Sequence, residues 1–218
     1  MDDIVIRVEG VYKRFGTDTV LKDVSRSFER GRIHGIVGNN GSGKTVLMKC
    51  ICGFLIPDGG SITVNGERVG VDVDSPRDMG LIIETPGFLP NVTGMKNLEI
   101  LASLNKKIGL REIAASMRAV SLDPSMNKPV GKYSLGMRQR LGIAQAIMEN
   151  PSLLILDEPL NGLDKHGVRE MRQLIKGLKE QGKTILLASH NQGDIDELCD
   201  TVCEMDAGVM TMIREESI

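Results

Sequence analysis

At 218 residues the chain can bury a sizeable core but is short for a tandem pair, so one domain with at most a smaller lobe is expected over 1–218. A formal charge of -2 and a pI near 6.0 remove the general basic excess that non-specific nucleic-acid binding uses. Aromatics at 3%, with no tryptophan, leave little material for stacking on bases, so nucleic acid is not an expected partner.

The start, Met1-Asp2-Asp3, is acidic where a signal peptide would be basic, and no apolar run approaches the ~18 residues of a membrane span. A cytosolic chain is expected, with any span supplied by a partner. Cys50, Cys52, Cys199 and Cys203 form neither a C-x-x-C pair nor a zinc-spaced cluster with histidine, which points to buried, reduced thiols.

Residues 4–8 alternate apolar and polar, and with Phe28 and the Gly31 turn they suggest antiparallel strands leading into the apolar run 33–37. Phe15 falls in the polar loop Lys13-Arg14-Phe15-Gly16, where it either packs or stacks on a nucleotide base. After the run comes Gly38-Asn39-Asn40-Gly41-Ser42-Gly43-Lys44-Thr45, and then a helical pattern over 46–51. This is strand, glycine loop, helix. It fits G-x-x-x-x-G-K-[ST], in which glycines turn backbone N–H groups around phosphates at the positive end of a helix. Lys44 would reach the β and γ phosphates, and the Thr45 hydroxyl would ligate Mg²⁺. The competing reading is a plain glycine turn between strand and helix.

Pro57-Asp58-Gly59-Gly60 makes a turn and 61–64 a short strand, and another strand follows at 79–83. Glu84 comes directly after it, then Thr85-Pro86-Gly87-Phe88-Leu89-Pro90, too rich in proline for regular structure and expected to move. From 94 to 120 the pattern is helical, with Leu110, Ile113, Ala114, Met117 and Val120 at three- and four-residue steps. With the next helix this forms a block, about 86–150, inserted in an α/β core.

Ser134 precedes a helix with Met137, Leu141, Ala144 and Met148 on its apolar face. Ser134 is either a simple N-cap or, with Gly136, part of a phosphate site at the helix start. The run 153–156 is continuously apolar, as a central parallel strand covered on both faces would be, and Asp157-Glu158 stand at its carboxyl end. Adjacent carboxylates there are costly without a metal or partner, which suits Mg²⁺ coordination by Asp157 and water activation by Glu158. A helix over 165–181, a buried strand over 184–188 and a closing hairpin around Ala207-Gly208 complete the chain. His190 lies just past the second of these, on the rim shared by Asp157 and the phosphate loop, within reach of a γ phosphate.

Together these residues resemble the ATP-binding subunit of an ABC transporter over nearly the whole chain. Phe15 matches the adenine-stacking aromatic, 38–45 the Walker A loop, Ser134-Leu135-Gly136-Met137 the signature motif, 153–158 Walker B, Asn161-Gly162-Leu163-Asp164 the D-loop and His190 the switch histidine. The resemblance implies an α/β fold: a P-loop NTPase (RecA-like) core, a small antiparallel β subdomain and an inserted helical subdomain. It also implies ATP and Mg²⁺ as ligands, a head-to-tail homodimer or dimer with a similar ATPase subunit, and membrane-spanning permease subunits as partners. That places the chain at the inner face of the cell membrane.

Two positions depart from the family's pattern. Glu84 stands where the glutamine that touches Mg²⁺ is usual, and Leu135 and Met137 replace glycine and glutamine of the signature. Glu84 with Thr85-Pro86-Gly87-Phe88, and this form of the signature, resemble the subgroup that exports antimicrobial peptides such as bacitracin and lantibiotics. A soluble ABC ATPase acting on ribosomes or DNA is the alternative; such relatives usually carry paired domains or long coiled coils, which are missing here.

Overall fold

The computed structural model describes residues 3–84 and 87–215; Met1, Asp2, Thr85 and Pro86, which carried part of the sequence reading, lie outside it. Two sheets organise the chain. The first is antiparallel, ordered β2-β1-β4-β5 from Ile4–Phe15 (β1), Asp18–Glu29 (β2), Gly59–Val64 (β4) and Glu67–Arg68 (β5). The second is ordered β10-β9-β3-β8-β7-β6. Its members are Ile33–Val37 (β3), Met79–Ile82 (β6), Leu153–Asp157 (β7), Thr184–Ala188 (β8), Thr201–Asp206 (β9) and Val209–Glu215 (β10). Pairing is parallel throughout except for β10 against β9.

The helix Lys44–Ile51 (α1) lies between the sheets. Leu47, Met48, Cys50 and Ile51 share one core with Val5, Val8, Phe28 and Ile62 of the first sheet and with Leu153, Ile155 and Leu186 of the second. Leu154, Leu156, Ile185 and Leu187 point the other way, into a core closed by the remaining helices. Strand residues of β7 thus alternate between two buried faces, which is why 153–156 reads as unbroken apolar sequence.

Those helices are Gly94–Asn105 (α2), Leu110–Ala119 (α3), Leu135–Ile147 (α4), Lys165–Glu180 (α5) and Gln192–Leu198 (α6). The helices expected over 94–120 are α2 and α3, divided where Lys106 adopts a left-handed conformation (φ 54°) and releases the chain from α2. The chain between β6 and β7 carries α2, α3 and α4. At Gly80 an added Cβ would sit 1.9 Å from the Ala146 carbonyl, so glycine is required for α4 to lie this close to β6.

One expectation changes. The strand foreseen at 4–8 continues to Phe15, so Phe15 ends β1 instead of lying in a loop; register shifts beyond Val8 interrupt the alternation that would have shown it. The antiparallel strands expected ahead of 33–37 are β1 and β2, with β4 antiparallel on the other edge of β1, and β3 itself lies parallel between β8 and β9 in the other sheet.

The second half of the 84–90 loop is also fastened. Buried Asn97 accepts from the Leu89 N–H at 2.7 Å and donates to the carbonyls of Leu89 (3.1 Å) and Thr93 (3.0 Å). His34, buried in β3, bridges β2 and β9: Nδ1 lies 2.7 Å from Thr201 Oγ1 and Nε2 2.8 Å from the Glu29 carbonyl. Desolvation lowers its pKa, as suits a neutral structural histidine. All four cysteines are buried and free, and desolvation pushes Cys50 up to about 11 and Cys52 and Cys199 to about 12, so they are inert thiols.

Candidate functional site

The carboxyl ends of β3, β6, β7 and β8 open on one rim, where a cleft of about 800 Å³ forms. Its walls carry Phe15, Lys44, Thr45, Glu84, Asp157 and Glu158. The loop 38–43 joins β3 to α1. Gly43 occupies the N-cap position at φ 112° with no side-chain cap, which leaves the first N–H groups of α1 free for an anion. Gly41 and Gly43 also hold positive φ, while Asn40 and Ser42 face the cleft between them.

Lys44 is buried and its ammonium donates to the carbonyls of Gly38 (2.6 Å) and Asn39 (3.0 Å). One residue on, the Thr45 hydroxyl donates to Asp157 Oδ2 at 2.6 Å. Asp157 is only 7% exposed, and its pKa is raised, chiefly by desolvation. The Thr45 hydrogen bond opposes that rise, the Glu158 charge adds to it, Lys44 offsets part, and Glu84 adds a little more.

Glu158 takes a positive φ of 50°. Its Oε1 accepts from the His190 backbone N–H at 3.1 Å and lies 2.8 Å from His190 Nδ1. The expected pair of base and switch histidine is thus in contact. Glu84, also at positive φ (59°), accepts from Lys49 Nζ at 2.7 Å. Phe15 is 47% exposed at the cleft edge, with Lys13 Nζ 5.6 Å from its ring centre.

Ser134 caps α4, its hydroxyl accepting from the Met137 N–H at 3.2 Å. Leu135, between Ser134 and Gly136, lies on the cleft wall with Gln139, so the start of α4 borders this chain's own cleft although Ser134 and Gly136 do not line it. Gln139, unremarkable in the sequence, donates to the Glu158 carbonyl at 3.0 Å and ties α4 to the end of β7. Arg172 on α5 likewise holds Asp194 of α6 through Nε (3.0 Å) and Nη2 (2.6 Å). Neither role had a local sequence signal; both depend on partners brought in by the fold.

Among the described residues no group of three His, Cys, Asp or Glu forms a self-contained metal site. Thr45 and Asp157 nonetheless present adjoining hard oxygens beside the phosphate loop, a donor set that fits Mg²⁺ completed by phosphate oxygens.

The family model for "ABC transporter" matches residues 21–161, which includes the phosphate loop, the α4 helix start and Asp157-Glu158. The chain belongs to the ABC transporter family. It is an ATP-binding subunit of that family and an ATPase. This ABC subunit is 39% identical over 208 residues to the bacitracin transport ATP-binding protein BcrA of Enterococcus faecalis, covering 94% of this chain and 68% of BcrA. It is 33% identical over 216 residues to the lantibiotic transport ATP-binding protein SrtF of Streptococcus pyogenes, covering 97% of this chain and 91% of SrtF.

In fold, the ABC subunit matches the ATP-binding cassette MJ0796 in its dimeric post-hydrolysis state bound to ADP and Pi. The TM-score is 0.85 at 21% identity, over 96% of this chain and 99% of the cassette. No helix among its described residues is long and apolar enough to cross a membrane.

Proposed function

We propose that this subunit binds Mg-ATP in the cleft between Phe15 and the 38–45 loop, and hydrolyses it in a head-to-tail dimer to power separate membrane-spanning permease subunits. The observation that carries the proposal is the convergence of two pairs, Thr45 with Asp157 and Glu158 with His190, on the rim of the phosphate loop. In this reading residues 86–150 act as the inserted helical subdomain, and the subunit sits at the inner face of the cell membrane through its permease.

Each residue then has a chemical part. Lys44 exchanges its loop carbonyls for phosphate oxygens, and Phe15 offers its exposed face to the adenine. A bound Mg²⁺ supplies charge neutralisation at the β and γ phosphates, with Thr45 and Asp157 as its protein oxygens and Glu84 within the same rim. Glu158 takes a proton from the water that attacks the γ phosphorus in line, and the bond to the ADP oxygen breaks. His190 holds that carboxylate by its backbone N–H and Nδ1, and stays beside the developing charge.

Ser134 and Gly136 flank Leu135 at the edge of this chain's own cleft, and their helix start suits ATP held on a second copy. Closing that site needs a homodimer or a dimer with a similar ATPase subunit. Relatives named for bacitracin and lantibiotic transport favour an antimicrobial peptide or drug as the exported cargo.

The test is Glu158→Gln. Its amide still packs and accepts from His190 but takes no proton, so the variant is expected to bind ATP, turn over at least ~100-fold more slowly and accumulate as an ATP-bound dimer. Turnover at the parent rate removes Glu158 as the base.

A further inference from the structure

Thr45 and Lys49 are four residues apart on α1 and so share one face of the helix. That face meets the acids at the carboxyl ends of two adjacent strands, Asp157 as the last residue of β7 and Glu84 two residues past β6, since β6 and β7 are paired in register through Ile82 and Leu156. Thr45 donates to Asp157 and Lys49 to Glu84, at 2.6 and 2.7 Å. The two contacts differ in kind. The first joins a neutral hydroxyl to a buried carboxylate, while the second is a full ion pair whose side chains are 26% and 62% exposed. An exposed pair of that sort is weak and can be exchanged.

We propose that Lys49 is the resident counter-ion of Glu84 and yields that carboxylate to the divalent cation that arrives with the nucleotide. The inference rests on the cleft being the Mg-ATP site. Lys49 is then a positioning residue, acting through Glu84, and the subunit's response to metal reflects competition between an ammonium and a dication for one carboxylate. While Lys49 holds Glu84, the cleft presents one fewer uncompensated negative charge to a polyphosphate. Without Lys49, Glu84 opposes metal-free ATP and attracts metal-bound ATP more strongly. A purely structural pair, fastening the end of β6 to α1, would change melting temperature but not the metal dependence of binding.

The experiment measures equilibrium ATP binding by calorimetry, in chelator and in excess Mg²⁺, for the parent, Lys49→Met, Glu84→Gln and the double variant, with Lys49→Arg as the conservative replacement. The quantity read is the ratio of the two affinities. Lys49→Met is expected to raise it about two- to five-fold, Lys49→Arg to restore it, and Lys49→Met to leave it unchanged when Glu84 is already glutamine. An equal shift in both backgrounds, or none with Glu84 present, overturns the competition. Should the parent bind ATP without any Mg²⁺ dependence, the metal reading of the cleft falls, and this inference falls with it.

Discussion

Replacing Arg172 by methionine tests whether His190 depends on an ion pair outside the cleft. Arg172 reaches Asp194 Oδ1 with two nitrogens, and the side chains are only 16% and 5% exposed. Asp194 Oδ2 in turn accepts from the Ser189 hydroxyl at 3.4 Å, and that hydroxyl accepts from the Asn191 N–H at 3.1 Å. Both ends of the turn carrying His190 therefore hang on Asp194. Removing one partner of a buried pair costs about 3–5 kcal/mol because the other charge stays behind unpaired. Ser189 still serves Asp194 and the methionine replaces the aliphatic stem, so the lower end, about 3 kcal/mol, is expected. For a chain of this size that is about 6–12 °C in melting temperature at 2–4 °C per kcal/mol. Arg172 also contacts Glu197, but that partner is 43% exposed and adds little. Thermal melts and steady-state ATPase rates on the same preparation supply the readout. Arg172→Met should lose both stability and turnover, whereas Arg172→Met with Asp194→Met should regain most of the stability but not the rate. If the single variant melts within about 2 °C of the parent, the pair does not hold the turn.

Lys44→Ala removes the ammonium that would meet the phosphates, so ATP affinity by calorimetry should fall about 10- to 100-fold, the worth of one hydrogen bond to a charged group. Asp157→Asn should make the nucleotide-free subunit more stable at neutral pH while abolishing metal-dependent turnover. Burial raises the folded-state pKa of Asp157, so its contribution is fully present below the unfolded carboxylate pKa and is lost as pH rises through the folded value. The stability gap between parent and Asp157→Asn in denaturant titrations should accordingly close as pH is lowered; a gap that widens in acid contradicts the assignment.

Much of the site was legible because its signals are local. A five-residue apolar strand, a glycine loop and a helix follow one another over 33–51, and the phosphate-binding part of the site lies within that span. The run 153–156 announced a strand buried on both faces, and its alternate residues do enter two cores. What escaped was set by partners distant in sequence. Lys49 meets a carboxylate 35 residues away, Gln139 a carbonyl 19 away, and Arg172 a carboxylate 22 away. The sequence places Phe15 in a loop because register shifts after Val8 hide the continuation of β1, and the point at which the helices of 94–120 divide, Lys106, carries no local signal, since lysine has no intrinsic preference for ending a helix. In the loop foreseen as mobile at 85–90, Leu89 is held by Asn97, whose four amide contacts become visible only once α2 turns it inward.

The cleft has a further consistency that bears on how tightly it can hold a ligand. Five side chains that would meet phosphate or metal already have a partner within the protein: Lys44 the loop carbonyls, Thr45 and Asp157 each other, Glu158 the histidine, Glu84 the lysine. At these five, binding exchanges hydrogen bonds instead of creating them, and the net gain per contact is the small difference between protein–protein and protein–ligand pairing. Asp157 is the exception in degree, since a neutral hydroxyl compensates its burial poorly and its pKa stays high. A dication held by Thr45 and Asp157 would relieve the uncompensated burial of that carboxylate, so the largest share of metal-dependent affinity should reside at that pair, with Glu84 contributing only what is left after displacing Lys49.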